Sequence, residues 1–190
     1  MVRVFGFVVA AVLVIAPAAA QQVFVDYDRG MDRTAYETFD WAPTPETSLE
    51  DIDPVLHSQV KNAIEFYLSQ GGLAQADEGM PDLLVTYHTG VTGLVRLDAA
   101  SYGYDYGPDW TWDQAWGDAA GDFDQKVRTY PRGTLIIDIW DLKAERVVWR
   151  GTVVGLVPED PGSAADEIHA ALTAIVARWR DMYQRVEEGG

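Results

Sequence analysis

The chain has 190 residues, 48% of them hydrophobic, and sets 14 basic against 30 acidic residues for a formal net charge of −16. A field of that sign repels nucleic acid and anionic lipid surfaces, and leaves room for a solvated acidic surface, a cationic partner or weak calcium binding. Cysteine is absent, which excludes disulfides, thiolate metal sites, thiol catalysis and the lipid-bearing cysteine of a bacterial lipoprotein.

The first twenty residues read MVRVFGFVVAAVLVIAPAAA. Arg3 precedes an apolar run from Val4 to Ala16, and Pro17 leads into the small residues Ala18, Ala19 and Ala20. That order describes a secretory signal peptide over residues 1–20, cut after Ala20. A membrane anchor is the competing reading, but the run falls short of the about 20 apolar residues that span a bilayer. No second apolar stretch reaches that length, so the expectation is a soluble, non-lipidated periplasmic protein without a transmembrane segment. Removing twenty residues from 190 leaves 170, with 13 basic and 30 acidic side chains. That length suits one domain, residues 21–190, able to bury about 70% of its unfolded-chain surface.

Within the domain, VFVDYD (Val23 to Asp28) and AYETFDW (Ala35 to Trp41) are short, aromatic and β-branched. The polar link with Gly30 between them predicts a hairpin. Pro43 and Pro45 then break regular structure. In DPVLHSQVKNAIEFYLSQGG, Asp53 can cap, Pro54 suits the first helical position, and Gly71 and Gly72 stop the run. Leu56, Val60, Ile64 and Leu68 recur every four residues, with Ala63 and Tyr67 alongside, which gives one apolar stripe. PDLLVTYHTGVTGLVRL predicts a further strand, with a bulge or bend at Gly90 and Gly93. Two strong strands, Gly133 to Trp140 and Arg146 to Leu156, are joined by the polar link DLKAE and predict a second hairpin. The last helix carries Ile168, Leu172, Ile175, Val176, Trp179 and Met182 at helical spacing. Ser163 is its candidate cap, with acidic residues early and arginines late to complement the helix dipole.

The predicted fold is therefore α+β: a two-layer sandwich, β-β-α-β-β-β-α, with a largely antiparallel sheet of about five strands and two helices on one face. The opposite sheet face is the open question, because Ile136, Trp140 and Trp149 do not all fit under two helices. An insertion at about residues 98–130 is the candidate cover.

YETFDW, PDLLVTYH and above all the pair GTLIIDIWD and VVWRG resemble the domain-of-unknown-function 4136 family, from roughly Val23 to Tyr183. The resemblance implies a small exported bacterial envelope protein. Many members of that family are lipoproteins, often with a Gly/Tyr/Trp-rich segment before the GTL strand. No catalytic residue is carried over, and the missing lipobox cysteine favours a free periplasmic protein.

Motifs with chemistry are scarce. His57, His88 and His169 stand apart, with no HExxH or His-x-His spacing, and structural roles explain them. G-x-S-x-G, G-x-G-x-x-G and the phosphate-cradling P-loop are all missing. Neither a metal nor a cofactor is expected. Asp138 and Asp141 flank Trp140, where capping a turn or pairing within the structure is the simpler role, for Asp141 above all.

The unusual stretch is Tyr102 to Asp124, with seven aromatic rings, six aspartates and four glycines and neither lysine nor arginine. No part of residues 98–130 shows helix or strand periodicity, and structureless loops beyond about 12–15 residues are uncommon unless functional or disordered. Three uses compete: a lid on the open sheet face, a stacking platform for sugars or cationic groups, and a calcium loop. The aspartate spacing does not match D-x-[DN]-x-[DN]-G, which is the case against calcium. The candidate ligand-binding residues are Tyr102, Tyr104, Tyr106, Trp110, Trp112, Trp116, Asp105 and Asp109. The chain reads as a non-enzymatic binding or scaffolding protein whose partner is an envelope component or a glycan. The alternative is an Asp/Glu-dependent glycan hydrolase built around the insertion.

Overall fold

The longest strands explain the architecture. Thr134–Asp141 and Arg146–Val154 are rich in β-branched and aromatic residues and pair antiparallel across the turn Leu142–Glu145. Glu145 takes a positive φ of 52°, and the Asp141 carboxylate accepts from Ala144 N at 2.8 Å, so Asp141 does cap the turn.

The computed structural model describes residues 21–42, 49–90, 95–98, 105–106, 110–111, 127–130, 133–156 and 163–189. In chain order the strands are β1 (Gln22–Asp28), β2 (Thr38–Trp41), β3 (Ala74–Gln75), β4 (Leu83–Thr89), β5 (Val95–Asp98), β6 (Asp105–Tyr106), β7 (Trp110–Thr111), β8 (Val127–Tyr130), β9 (Thr134–Asp141) and β10 (Arg146–Val154). The helices are α1 (Leu49–Ile52), α2 (Pro54–Gln70) and α3 (Ala164–Gly189). One sheet runs β3-β2-β4-β9-β10-β1-β7, with β6 also beside β10, while β5 and β8 pair separately. The fold is α+β, and its centre, β4-β9-β10-β1, is antiparallel throughout.

The five longer strands of this sheet correspond to the five expected, but the first predicted hairpin does not form. β1 pairs antiparallel with β10, whereas β2 lies across the sheet, parallel to β4. The nine residues Arg29 to Glu37 therefore cross the ends of three strands. Four strand spacings amount to about 19 Å, and nine residues reach about 30 Å. The physical reason lies in the connection from β2 to β4. Parallel neighbours need a crossover of a dozen or more residues, usually a helix, and α2 supplies it. The start of β2 is held there by Asp82. Its carboxylate accepts from Glu37 N, Thr38 N and Thr38 Oγ1, each at 2.9 Å, and those bonds lower its pKa.

A second correction concerns residues 98–130. Asp105–Tyr106, Trp110–Thr111 and Val127–Tyr130 are strands, too short or too irregular for a period of two to show in sequence. Residues 1–20, Pro43, Pro45 and Gly93 lie outside the described residues.

Both long helices carry the expected apolar stripes, and α2 the expected cap and stop. The Asp53 side chain accepts from Leu56 N, Pro54 opens α2, and Gly72 lies just beyond its end at φ +92°, a conformation glycine adopts freely. At the start of α3, Ser163 Oγ donates to the side chain of Glu167, at Oε1, at 2.8 Å. Asp166 and Glu167 stand in the first turn as expected, but the last turn holds no basic residue, because the helix runs on to Gly189 past the arginines. Val60, Ala63 and Ile64 of α2 join Ile168, Ala171, Leu172 and Ile175 of α3 in one core with one sheet face, represented by Val25, Val85, Leu135, Ile137 and Val153. None of the described helices is long and apolar enough to cross a membrane.

The helix layer seats closely at Gly151. A Cβ built there would lie 2.5 Å from Trp149 and 2.9 Å from Ile175. Gly151→Ala is expected to cost about 1–3 kcal/mol through overpacking and to lower the melting temperature by several degrees in a thermal scan. An unchanged transition would show that α3 does not press on β10.

Candidate functional site

Strand geometry sends alternate side chains to opposite faces, and here the two faces differ in chemistry. Facing the helices is an apolar layer that leaves a cavity of about 280 Å³. Leu83, Ile137, Ile139 and Trp149 line it from the sheet, and Leu172, Ile175, Val176 and Trp179 from α3. The last turns of α2 contribute too, and Met31, Arg33 and Tyr36 come from the link between β1 and β2. Arg33 is the only charged residue among its sixteen described lining residues.

The polar atoms of this wall divide into two groups. The hydroxyl of Tyr36 donates to Asp141 Oδ2 at 2.8 Å, and that of Tyr67 meets Thr173 Oγ1 at 2.6 Å. Burial, reinforced by Asp141, pushes the Tyr36 hydroxyl well above its ordinary range, so it stays a donor at neutral pH. By contrast, the indole nitrogens of Trp149 and Trp179 are buried without a hydrogen-bond partner among the described residues. The two rings meet edge to face with centroids 5.9 Å apart, and the Arg33 guanidinium lies 5.1 Å from the Trp179 ring centroid.

On the opposite face the sheet buries charge. Cross-strand register sets Asp26 beside Arg150, Arg150 beside Asp138, and Asp138 beside Thr86. Asp26, Asp138 and Arg150 are at most 1% exposed. The Arg150 guanidinium grips Asp138 with two bonds, Nε to Oδ1 at 2.5 Å and Nη2 to Oδ2 at 2.7 Å. Arg146 Nη2 lies 3.1 Å from Asp28 Oδ2, an ion pair whose angles fall short of a hydrogen bond. His88 Nε2 is 4.0 Å from Asp138, but burial lowers the imidazole's pKa and outweighs the opposing pull of that carboxylate. His88 is therefore a neutral neighbour and not an ionic partner. Ile136 and Trp140 sit buried on this face, whereas Trp149 belongs to the helix side.

Of the sequence candidates, Asp105, Tyr106 and Trp110 are placed through their backbones. β6 sets Asp105 opposite Arg146 and Tyr106 opposite Val147, and β7 sets Trp110 opposite Asp28. The three thus come to one corner of the sheet, beside the Arg146–Asp28 pair. Tyr102, Tyr104, Asp109, Trp112 and Trp116 lie outside the described residues. The other histidines meet aromatic neighbours: His57 Nδ1 shares a hydrogen bond of 2.6 Å with the Tyr87 hydroxyl, and the His169 ring lies edge-on to Phe66 and tilted to Tyr67. Burial, then the charge of Glu50, pushes the Tyr87 hydroxyl up to about 12. No group of three or more potential metal ligands occurs among the described residues.

The cavity leaves no mark in the sequence. Its lining residues read there as core, and the one available signal was Trp149 and Trp179 among otherwise aliphatic positions.

A family model described as a domain of unknown function, DUF4136, matches residues 23–179. The chain belongs to this family. A DUF4136 family protein from Bacteroides thetaiotaomicron is similar at 17% identity, with 85% of this chain and 95% of that one covered and a TM-score of 0.48. A PDZ domain protein from Parabacteroides distasonis is similar at 18% identity and a TM-score of 0.39 over 80% of this chain. The match takes in 35% of that protein's chain. None of the curated proteins compared matches the chain.

Removing one partner of a buried ion pair leaves an uncompensated charge, at a cost of about 3–5 kcal/mol. Arg150→Ala is expected to lose stability on that scale in a urea titration. Replacing the whole cluster, Arg150→Met with Asp138→Leu and Asp26→Leu, so that no carboxylate beside Arg150 is left uncompensated, should lose clearly less. Equal losses would mean that Arg150 contributes by packing alone.

Proposed function

We propose that this DUF4136 protein is an exported, soluble protein of the bacterial cell envelope that binds a small apolar ligand without transforming it. The reading of residues 1–20 as a signal peptide supports export. The absence of a lipobox cysteine favours a free periplasmic protein over a tethered one.

One observation carries the binding role: the cavity of about 280 Å³ between the helices and the sheet. Ligand sites are concave and mostly apolar, with a few placed polar groups, and begin at about 300 Å³. Protein interiors otherwise leave few voids larger than a water molecule. The cavity exceeds that ordinary void by an order of magnitude, and Trp149 and Trp179 are part of its lining.

Two measurements test this. Fractionation of cells expressing the full chain should place the cleaved product in the periplasm, and retention of residues 1–20 in the cytoplasm would refute export. An apolar fluorescent probe should bind at about one per chain and change the emission of Trp149 and Trp179. The partly exposed lining position Val176 allows Val176→Trp to fill the space. This replacement should cut the affinity about tenfold or more. Undiminished binding would place the probe elsewhere.

A further inference from the structure

A ligand between two packed layers needs a way in, and the walls of the cavity are unequal. We infer that the link Arg29–Glu37 is a strap that swings aside to admit the ligand, with the Tyr36–Asp141 hydrogen bond as its latch. This rests on the binding role proposed above and adds the route of entry.

Two walls are costly to part. Leu83, Ile137 and Ile139 belong to β4 and β9, which pair without a break from Leu83 to Thr89. Leu172 and Ile175 of α3 are at most 3% exposed. Drawing a central strand or α3 away would bring fully buried apolar side chains into water. The third wall is different. No residue from Arg29 to Glu37 is buried, and only Met31 and Tyr36 are partly covered. Both line the cavity, together with the exposed Arg33. Segments with few buried apolar contacts are the ones that open at low free energy.

The hydrogen bonds suit such a movement. Each end of the link is pinned to the sheet: Gly30 N donates to Asp28 Oδ1 at 2.8 Å, and Glu37 N donates to Asp82 Oδ2 at 2.9 Å. The middle is tied to itself. Asp32 Oδ1 accepts from Thr34 N at 3.0 Å and from Thr34 Oγ1 at 2.7 Å, and the Asp32 carbonyl accepts from Ala35 N at 3.1 Å. The turn Arg33–Ala35 can therefore move as one body with these bonds intact, while a few residues at its ends absorb the change in dihedral angles.

One bond across the mouth must then break. The Tyr36 hydroxyl donates to Asp141 Oδ2 on β9 at 2.8 Å. A bond to a carboxylate is stronger than one between neutral groups, and burial keeps this hydroxyl protonated at neutral pH. The Arg33 guanidinium, over the Trp179 ring, parts from it in the same movement. Met31 can follow by changing rotamer, as unbranched side chains do.

The test uses the full chain and a neutral aminonaphthalene as probe, with tryptophan emission followed by stopped flow. Tyr36→Phe keeps the ring and removes the latch. It should speed association and dissociation alike, by about tenfold, and leave the affinity within about twofold, because easier opening serves entry and exit equally. Asp141→Asn keeps an oxygen for Ala144 N and weakens the latch, so it should shift both rates in the same direction by less. Tyr87→Phe removes a hydroxyl engaged with His57, away from the described lining, and should change neither rate. The chain has no cysteine, so Met31→Cys supplies a single thiol on the strap. Its labelling by a thiol reagent should quicken about tenfold when Tyr36→Phe is added, and slow when the probe is saturating. Faster dissociation alone, with affinity lost, would make Tyr36 a wall group and overturn the strap. Probe rates and thiol labelling that ignore both latch variants would overturn it too. Failure of the probe to bind, with labelling still quickened by Tyr36→Phe, would overturn the binding role and leave the opening of the strap in place.

Discussion

The antiparallel register of β9 on β10 is the constraint that governs both faces of the sheet. Pairing Ile137 with Gly151, and Asp138 with Arg150, commits every neighbouring side chain to one face or the other. A slip of one residue would send Asp138 and Arg150 under the helices and Ile137 to the charged side. The bidentate Asp138–Arg150 contact tolerates no such slip. The two bonds of the pair are made in this register, and such a pair by itself contributes little net stability once it has lost its water.

That register also sets the shape of the helix-side core. Gly151 gives β10 one position without a side chain, and there Trp149 and Ile175 close in. The layers approach closely at that point, while the nearby Trp149 and Trp179 rings meet edge to face and leave space beside them. The link from β1 to β2 then closes one side of that space, carrying Met31, Arg33 and Tyr36 across the strand ends. One crossing connection therefore both organises the sheet and furnishes the only charged group of the cavity's described lining.

The two faces divide labour in a way composition hides. Carboxylates are best solvated in water, yet Asp26, Asp28 and Asp138 are buried with arginines nearby. The basic residues, outnumbered two to one overall, are thus placed where a carboxylate most needs a partner. Arg33 lies on the helix side, over the Trp179 ring.

Local signals carried much of this. Asp53, Pro54 and the glycine pair after Gln70 bounded α2, because caps and stops act within one turn of the chain. The apolar stripes of α2 and α3 and the strand-forming runs of β9 and β10 on either side of a polar link settled the α+β class and the long hairpin. The partner of β1 was not decided locally. Its tie to β10 competes with a hairpin to β2, and the outcome depends on α2 acting as a crossover between β2 and β4. The candidate corner of Asp105, Tyr106 and Trp110 likewise depends on pairings of two residues each, below the length at which a period can be seen. The cavity belongs wholly to the tertiary structure. Sequence determined that Leu172, Ile175 and Trp179 would share the apolar face of α3, but whether inward-facing groups fill the space between two layers is a matter of three-dimensional fit that no pattern along one chain records.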